Sequence, residues 1–211
     1  MQGIELPPGA TRVTVLRHGA VRGPAHVMRG QRDDPLSPRG WAQMETVLAR
    51  LEAAPAVAVV AVAASPLGRC AEFATAWARD RGLPLALLDG FRERAFGAWE
   101  GLRGEDAARL DPEEFRLYQA SGGVTAPPGG EDMEALVRRV RAAWEAWLGD
   151  AAGGHRLLVT HAGVMRVLLM DLLGLPTTHA WRIALPEAAH FQVSVLAGHP
   201  PVLLHLNPCT A

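Results

Sequence analysis

Two places in this chain put an imidazole and small residues directly after an apolar run. Val13-Thr14-Val15-Leu16 leads into Arg17-His18-Gly19, and Leu157-Leu158-Val159-Thr160 leads into His161-Ala162-Gly163. Between them, Ser65-Pro66-Leu67-Gly68-Arg69 follows the apolar run Val57–Ala63. Such runs read as strands, and parallel strands present their carboxyl ends on one edge of a sheet, where open α/β folds hold ligands. A lone strand-end histidine is more often a satisfied structural residue. Two at equivalent positions, with two arginines and a helix start beside them, suit an anion. Guanidinium forks and helix N–H groups hold phosphoryl oxygens, while a neutral imidazole can attack phosphorus.

These groups need elements to position them. Ser37-Pro38 joins an N-cap hydroxyl to a proline at the first helical position and predicts a helix to about Glu52. Ser65-Pro66 repeats the signal and predicts a helix to about Arg79, with Arg69 in its first turn. A short strand is expected at Leu85–Leu88, then a loop-rich stretch with helical pieces around Glu105–Leu110 and Pro112–Gln119. Met133, Leu136, Val137, Val140, Trp144, Trp147 and Leu148 recur at helical spacing as one apolar stripe, so both tryptophans read as core. A helix over Ala162–Leu173 and closing strands at His190–Leu196 and Val202–Leu206 complete the pattern. Strands alternating with helices predict an α/β fold, a three-layer α/β/α sandwich whose mostly parallel central sheet is flanked by helices.

At 211 residues the chain is expected to be a single domain with room for a full core and a concave site. Its formal net charge of −1 argues against a general nucleic-acid or membrane-surface binder. There is no lysine: all 21 basic residues are arginine, as a GC-rich coding preference would produce, so any anion site must use guanidinium groups, helix N-termini and histidine. Cys70 and Cys209 fit no metal-ligand spacing, which predicts a reduced, cytoplasmic protein without a bound metal. The N-terminus lacks the basic and apolar regions of a signal peptide, and the run Ala56–Ala64 is too short to span a bilayer.

Taken together, Arg17-His18-Gly19, Ser65-Pro66-Leu67-Gly68-Arg69, Phe91-Arg92-Glu93 with Phe96-Gly97-Ala98-Trp99-Glu100-Gly101, and Val159-Thr160-His161-Ala162-Gly163 resemble the histidine phosphatase, or phosphoglycerate mutase-like, superfamily. The blocks occur in the family's order over roughly residues 12–175. Met28 to Ser37, then Gly40-Trp41-Ala42-Gln43-Met44, and Pro128-Gly129-Gly130-Glu131 are most similar to the α-ribazole phosphatases of cobalamin biosynthesis. The resemblance implies a metal-independent phosphomonoesterase with no cofactor, acting on a small phosphorylated metabolite. His18 would be the nucleophile and Glu93 the proton donor. Arg17, Arg69 and His161 would bind the phosphoryl group, and residues 90–130 would cap the site. Oligomeric state stays open, a dimer included.

The chain departs from the family pattern at Ala20, where an acid is usual, and its one asparagine is Asn207 rather than a residue of the following loop. Arg22 and Gln31 are candidate replacements for those polar contacts. Glu131 either touches substrate or favours a helix N-terminus electrostatically. Glu93 could also be one member of a surface ion-pair cluster with Arg92, Arg94 and Glu100. The other histidines, at 26, 155, 179, 190, 199 and 205, match no motif, although His190 could edge a pocket. A phosphoglycerate mutase, a broad-specificity phosphatase and a decayed phosphate-ester binding module are the alternatives.

Overall fold

The computed structural model describes residues 6–53, 58–149 and 153–207. Its strands are β1 (Thr11–Arg17), β2 (Val59–Ala64), β3 (Leu85–Leu87), β4 (His155–Thr160), β5 (His190–Val195) and β6 (Val202–Asn207). They form one sheet in the order β3-β2-β4-β1-β5-β6. The first four strands of that order run parallel; β5 is antiparallel to β1, and β6 to β5. The helices are α1 (Pro38–Ala53), α2 (Gly68–Arg79), α3 (Gly104–Leu110), α4 (Pro112–Ala120), α5 (Met133–Leu148) and α6 (Ala162–Leu173).

Period-two alternation in the strands sorts their side chains into two cores. Val13, Val15 and Leu158 pack with Leu136, Val140, Val164 and Leu168 of α5 and α6. Leu16, Leu157 and Val159 pack with Met44, Val47, Phe73 and Trp77 of α1 and α2. The expected three-layer α/β/α arrangement is therefore present, with Trp144 in the first core. Among the described residues no helix is long and apolar enough to cross a membrane. The strand expected from Val57 begins at Val59; Val57, Cys209 and the first five residues lie outside the described residues.

The helix starts differ in how they are made. Ser37 caps α1 as expected: its Oγ accepts the Gly40 N–H at 3.1 Å. Ser65 does not cap α2, which begins three residues later at Gly68 with Leu67 as its N-cap residue. The Ser65 hydroxyl accepts the Leu67 N–H at 3.3 Å and bonds the His161 ring instead. Asp33 supplies the missing acceptor at α2, taking the Gly68 N–H on Oδ1 at 2.6 Å. The α2 N-terminus thus meets a carboxylate of the protein, not an open anion site.

The segment after β1 is clamped against the start of α1. The Ala20 carbonyl accepts the Ser37 N–H at 2.9 Å and the Ser37 hydroxyl at 3.0 Å, and Gln43 Oε1 takes the Ala20 N–H at 2.8 Å. Here two glycines let the backbones touch. A Cβ on Gly19 would stand 2.2 Å from the Gly40 carbonyl oxygen, and one on Gly40 would stand 2.0 Å from that of Ala20. Gly19→Ala should therefore cost about 2–3 kcal/mol through overpacking of rigid backbone. A thermal melt should register a fall of about 5–10 °C; an unchanged melting temperature would show that the two segments can separate freely.

Residues 90–130 carry their own aromatic cluster, in which Phe96, Trp99 and Tyr118 are buried against Met28 and Phe115. This segment also holds the loop after β1: Met28 N–H donates to Leu102 O, and Gly101 N–H to Met28 O, each at 2.8 Å.

Candidate active site

The register of β1 against β4 pairs Arg17 with Thr160, so the residues that follow, His18 and His161, leave the sheet side by side. The His18 N–H donates to the Thr160 carbonyl at 2.9 Å, which continues the ladder one step, and the ring centroids lie 5.2 Å apart. On the other side of β4, β2 ends at Ala64 opposite Val159, which brings Ser65 to the same edge. Parallel pairing thus converts three separated stretches of sequence into one cluster.

His18 is buried, and its Nδ1 lies 2.8 Å from the Gly19 carbonyl. A carbonyl can only accept, so Nδ1 carries the proton and Nε2 keeps its lone pair. Burial first, then the charges of Arg17 and Arg69, holds the pKa of this imidazole well below the ordinary histidine range. The ring is a neutral base with one nitrogen committed and the other available.

His161 is fully buried and has both nitrogens engaged. Arg69 Nε donates to its Nδ1 at 3.2 Å, which leaves the proton on Nε2 facing Ser65 Oγ at 2.7 Å. Burial, followed by Arg69 and His18, lowers its pKa strongly as well. Arg69 itself, 1% exposed, also donates to the carbonyls of Arg32 at 2.5 Å and Gly30 at 2.7 Å. Three of the five guanidinium N–H groups are thereby fixed, and two are left for another acceptor. Arg17 donates from Nη1 to the Leu185 carbonyl at 2.5 Å, while its buried Nε has no partner. Neither arginine is ion-paired among the described residues. Their hydrogen bonds go to carbonyls and, for Arg69, to a neutral imidazole, so neither guanidinium is neutralised by a directly bonded carboxylate.

Glu93 approaches from the loop-rich segment. One carboxylate oxygen accepts the Arg94 N–H at 2.9 Å and the other the Gly163 N–H at 3.2 Å, in the first turn of α6. The side chains that could have drawn it into a surface cluster are occupied elsewhere. Arg92 pairs with Asp89 at 2.8 Å, Arg94 is buried against the carbonyls of Glu131, Gly123 and Thr125, and Glu100 accepts the N–H groups of Gln31 and Phe96.

Arg17, His18, Arg69 and Glu93 share the wall of a cavity of about 830 Å³. His161 stands behind that wall, joined to it through Arg69. Three other expected contacts are elsewhere. Arg22 is exposed and off the cavity wall. Gln31 braces the site from behind, donating from Nε2 to the Glu93 carbonyl at 3.2 Å. Glu131 makes a two-pronged pair with Arg139, both contacts at 2.7 Å, and Arg139 also holds the carbonyls of Gly90, Arg92 and Glu93. That pair ties the Glu93 loop to α5, whose N-cap is Asp132. His190 sits off the cavity against His205, and burial lowers its pKa to about 4.

The cavity wall also contains residues that the sequence pattern passed over: His26, Arg29, Arg39 and Arg166. Arg166 lies over the Trp181 ring at 4.6 Å and donates from Nε to the Ile183 carbonyl at 3.3 Å. Its sequence signal was helical spacing: three and four residues after Gly163 and Ala162, it projects from the same face of α6.

With this geometry in hand, the family profile of the histidine phosphatase superfamily (branch 1) matches residues 13–208. The chain belongs to that superfamily. The bifunctional protein Rv2228c of Mycobacterium tuberculosis is 33% identical over 85% of this chain, which spans about half (49%) of that relative's length. The "Probable phosphoglycerate mutase GpmB" of Yersinia pestis is 34% identical over 81% of this chain and 78% of its own. The adenosylcobalamin/alpha-ribazole phosphatase of Salmonella typhimurium is 26% identical over 89% and 92%. Among solved structures, Bacillus stearothermophilus YhfR superposes with a TM-score of 0.79 at 26% identity, covering 89% of this chain and 93% of its own.

In this cluster, His18 and His161 have folded-state pKa values below those of the unfolded chain. At acidic pH the unfolded state therefore binds protons that the native state refuses, so stability is complete above about pH 6.5 and declines as pH falls. Each imidazole should contribute a slope of up to about 1.4 kcal/mol per pH unit between roughly pH 6.5 and 5, before carboxylates enter. Urea unfolding across that window should show the decline. A flat profile would mean that the two rings take up protons in the native protein as readily as in the unfolded chain.

Proposed function

We propose that the chain is a phosphomonoesterase that works through a phosphohistidine on His18, with α-ribazole 5′-phosphate as its substrate. The observation that carries the reading is the fixed tautomer of His18 beside two arginines, Arg17 and Arg69, that form no ion pair among the described residues. In-line attack by Nε2 forms the N–P bond as the P–O ester bond breaks. Arg17 and Arg69 take the phosphoryl oxygens with their spare N–H groups, and His161 acts beside them, orienting Arg69 through Nδ1. Glu93 protonates the departing alkoxide and then removes a proton from the water that attacks phosphorus, which releases His18 and inorganic phosphate. The chain is read as one domain. Residues 90–130 act as its cap, consistent with Glu93 and Phe96 on the cavity wall.

The substrate assignment draws on the Salmonella relative and on the sequence blocks shared with that group. Phosphate release should be measured across nucleotide, sugar and phosphoglycerate monoesters together with α-ribazole 5′-phosphate. The last should lead in kcat/KM by at least about tenfold; preference for another ester would overturn the assignment while leaving the chemistry in place. The Yersinia relative supports a second reading, a phosphoglycerate mutase. Steady phosphate release without a bisphosphate primer argues for hydrolysis, whereas primer-dependent isomerisation argues for the mutase. Tight binding of esters without turnover would instead indicate a binding module.

A further inference from the structure

We propose that Arg139, with Glu131 as its counter-ion, is the residue that positions Glu93 for proton transfer. This rests on the phosphomonoesterase reading and adds how its proton donor is held. Such a donor must stand within hydrogen-bond reach of the ester oxygen, and a misplacement of about 1 Å can cost on the order of 10²-fold in rate. Glu93 lies outside every helix and strand, so its aim has to come from groups beyond its own stretch of backbone.

Those groups are concentrated on one guanidinium of α5, and all five of its N–H groups are committed. Nη1 donates to the carbonyls of Gly90 at 2.9 Å and Arg92 at 2.8 Å. Nη2 donates to the Glu93 carbonyl at 3.2 Å and to Glu131 Oε2 at 2.7 Å, and Nε donates to Glu131 Oε1 at 2.7 Å. The Phe91 carbonyl accepts the hydroxyl of Thr160, the residue before His161, at 3.0 Å. The consecutive carbonyls of residues 90–93 are all fixed in this way, and only that of Phe91 is not held by Arg139. Glu131 closes the frame through its backbone. Its N–H donates to the Ala95 carbonyl at 2.9 Å, and its carbonyl accepts Arg94 Nε at 2.8 Å.

Two glycines seat the frame and the acid. A Cβ on Gly90 would stand 2.4 Å from the Ala143 Cβ, so the turn before Glu93 lies directly on α5. A Cβ on Gly163 would stand 2.1 Å from Glu93 Oε1, so the carboxylate lies against the first turn of α6. The backbone of Glu93 is thus set by one helix and its carboxylate by another. Arg139 is off the cavity wall, so it meets no substrate and acts through Glu93. A lysine offers three donors on a flexible stem and cannot reproduce the fork.

Single-turnover rates of Arg139→Lys on glycerol 2-phosphate and p-nitrophenyl phosphate, measured beside Glu93→Gln and the double variant, test this. A misplaced acid should slow the alkyl ester by about 10–100-fold and the p-nitrophenyl ester by no more than about threefold. In the Glu93→Gln background the same change should cost the alkyl ester no more than about threefold further, because no acid is left to position. Equal losses on the two esters, no loss on either, or the full further loss in the double variant would overturn the proposal. Where Arg139→Lys fails to fold, Glu131→Gln decides. It leaves the carbonyl bonds of Arg139 in place but loosens the fork, and should show the same selectivity at about 3–10-fold; equal losses or none overturn the proposal there too. A selective Glu93→Gln beside an unselective Arg139→Lys removes the positioning role alone. An unselective Glu93→Gln removes the acid itself and the positioning role with it.

Discussion

Replacing His18 by alanine is expected to lower the hydrolysis of p-nitrophenyl phosphate by at least about 10⁴-fold, while the protein stays folded. The size follows from the chemistry. Without an imidazole there is no N–P bond to divide the displacement into two easier steps, and the remaining arginines can stabilise charge but not attack. The fold should tolerate the change: the backbone contacts of this residue, N–H to Thr160 and carbonyl to Ala188, survive in alanine. Removing a buried imidazole also removes a group that resists protonation, so the acid decline in stability should become shallower. Steady-state rates and urea unfolding on the same preparation separate these effects. Retention of more than a few per cent of the activity would sink the covalent mechanism.

Glu93→Gln is expected to show the other large effect, and its signature is selective. An alkyl leaving group departs as a strong base and needs a proton, worth about 10²–10⁴-fold when a positioned acid supplies it. The p-nitrophenolate ion is a far better leaving group and needs much less help. Turnover of glycerol 2-phosphate should therefore collapse while release of p-nitrophenol falls only slightly in the first turnover. Glutamine keeps a carbonyl oxygen able to accept either the Arg94 or the Gly163 N–H, so the loop should hold. Equal losses on both substrates would assign Glu93 a positioning role instead.

The parts of the site that were legible in sequence are those tied to regular strands. His18 and His161 could be placed together because strand period and parallel pairing fix where a side chain leaves a sheet, and their registers differ by no residue. Arg69 was legible for a similar reason, although its helix begins at Gly68 and its N-terminus is satisfied by Asp33. Loop residues did not follow. Glu131 found an arginine of α5 eight residues along the chain, and Gln31 found a backbone carbonyl 62 residues away, neither of which any local pattern encodes. Arg166 was missed because a single arginine on an apolar helix gives no motif, and its relevance depends on which face of α6 meets the cavity. Ala20, an apparent loss of function in sequence, occupies a position whose backbone is claimed by Ser37 and Gln43. The clamp needs nothing of its side chain.

One covalent bond, between phosphorus and His18 Nε2, is the central step of the proposed reaction. Rapid mixing of the protein with p-nitrophenyl phosphate, an alkaline quench to preserve phosphoramidate bonds, and peptide mass spectrometry would detect it. The expected result is one phosphoryl group on the peptide containing His18, located on that imidazole, formed within the burst of p-nitrophenol and absent from His18→Ala protein. Full turnover with no phosphorylated His18 at any quench time, or with the phosphoryl group on another residue, would contradict it.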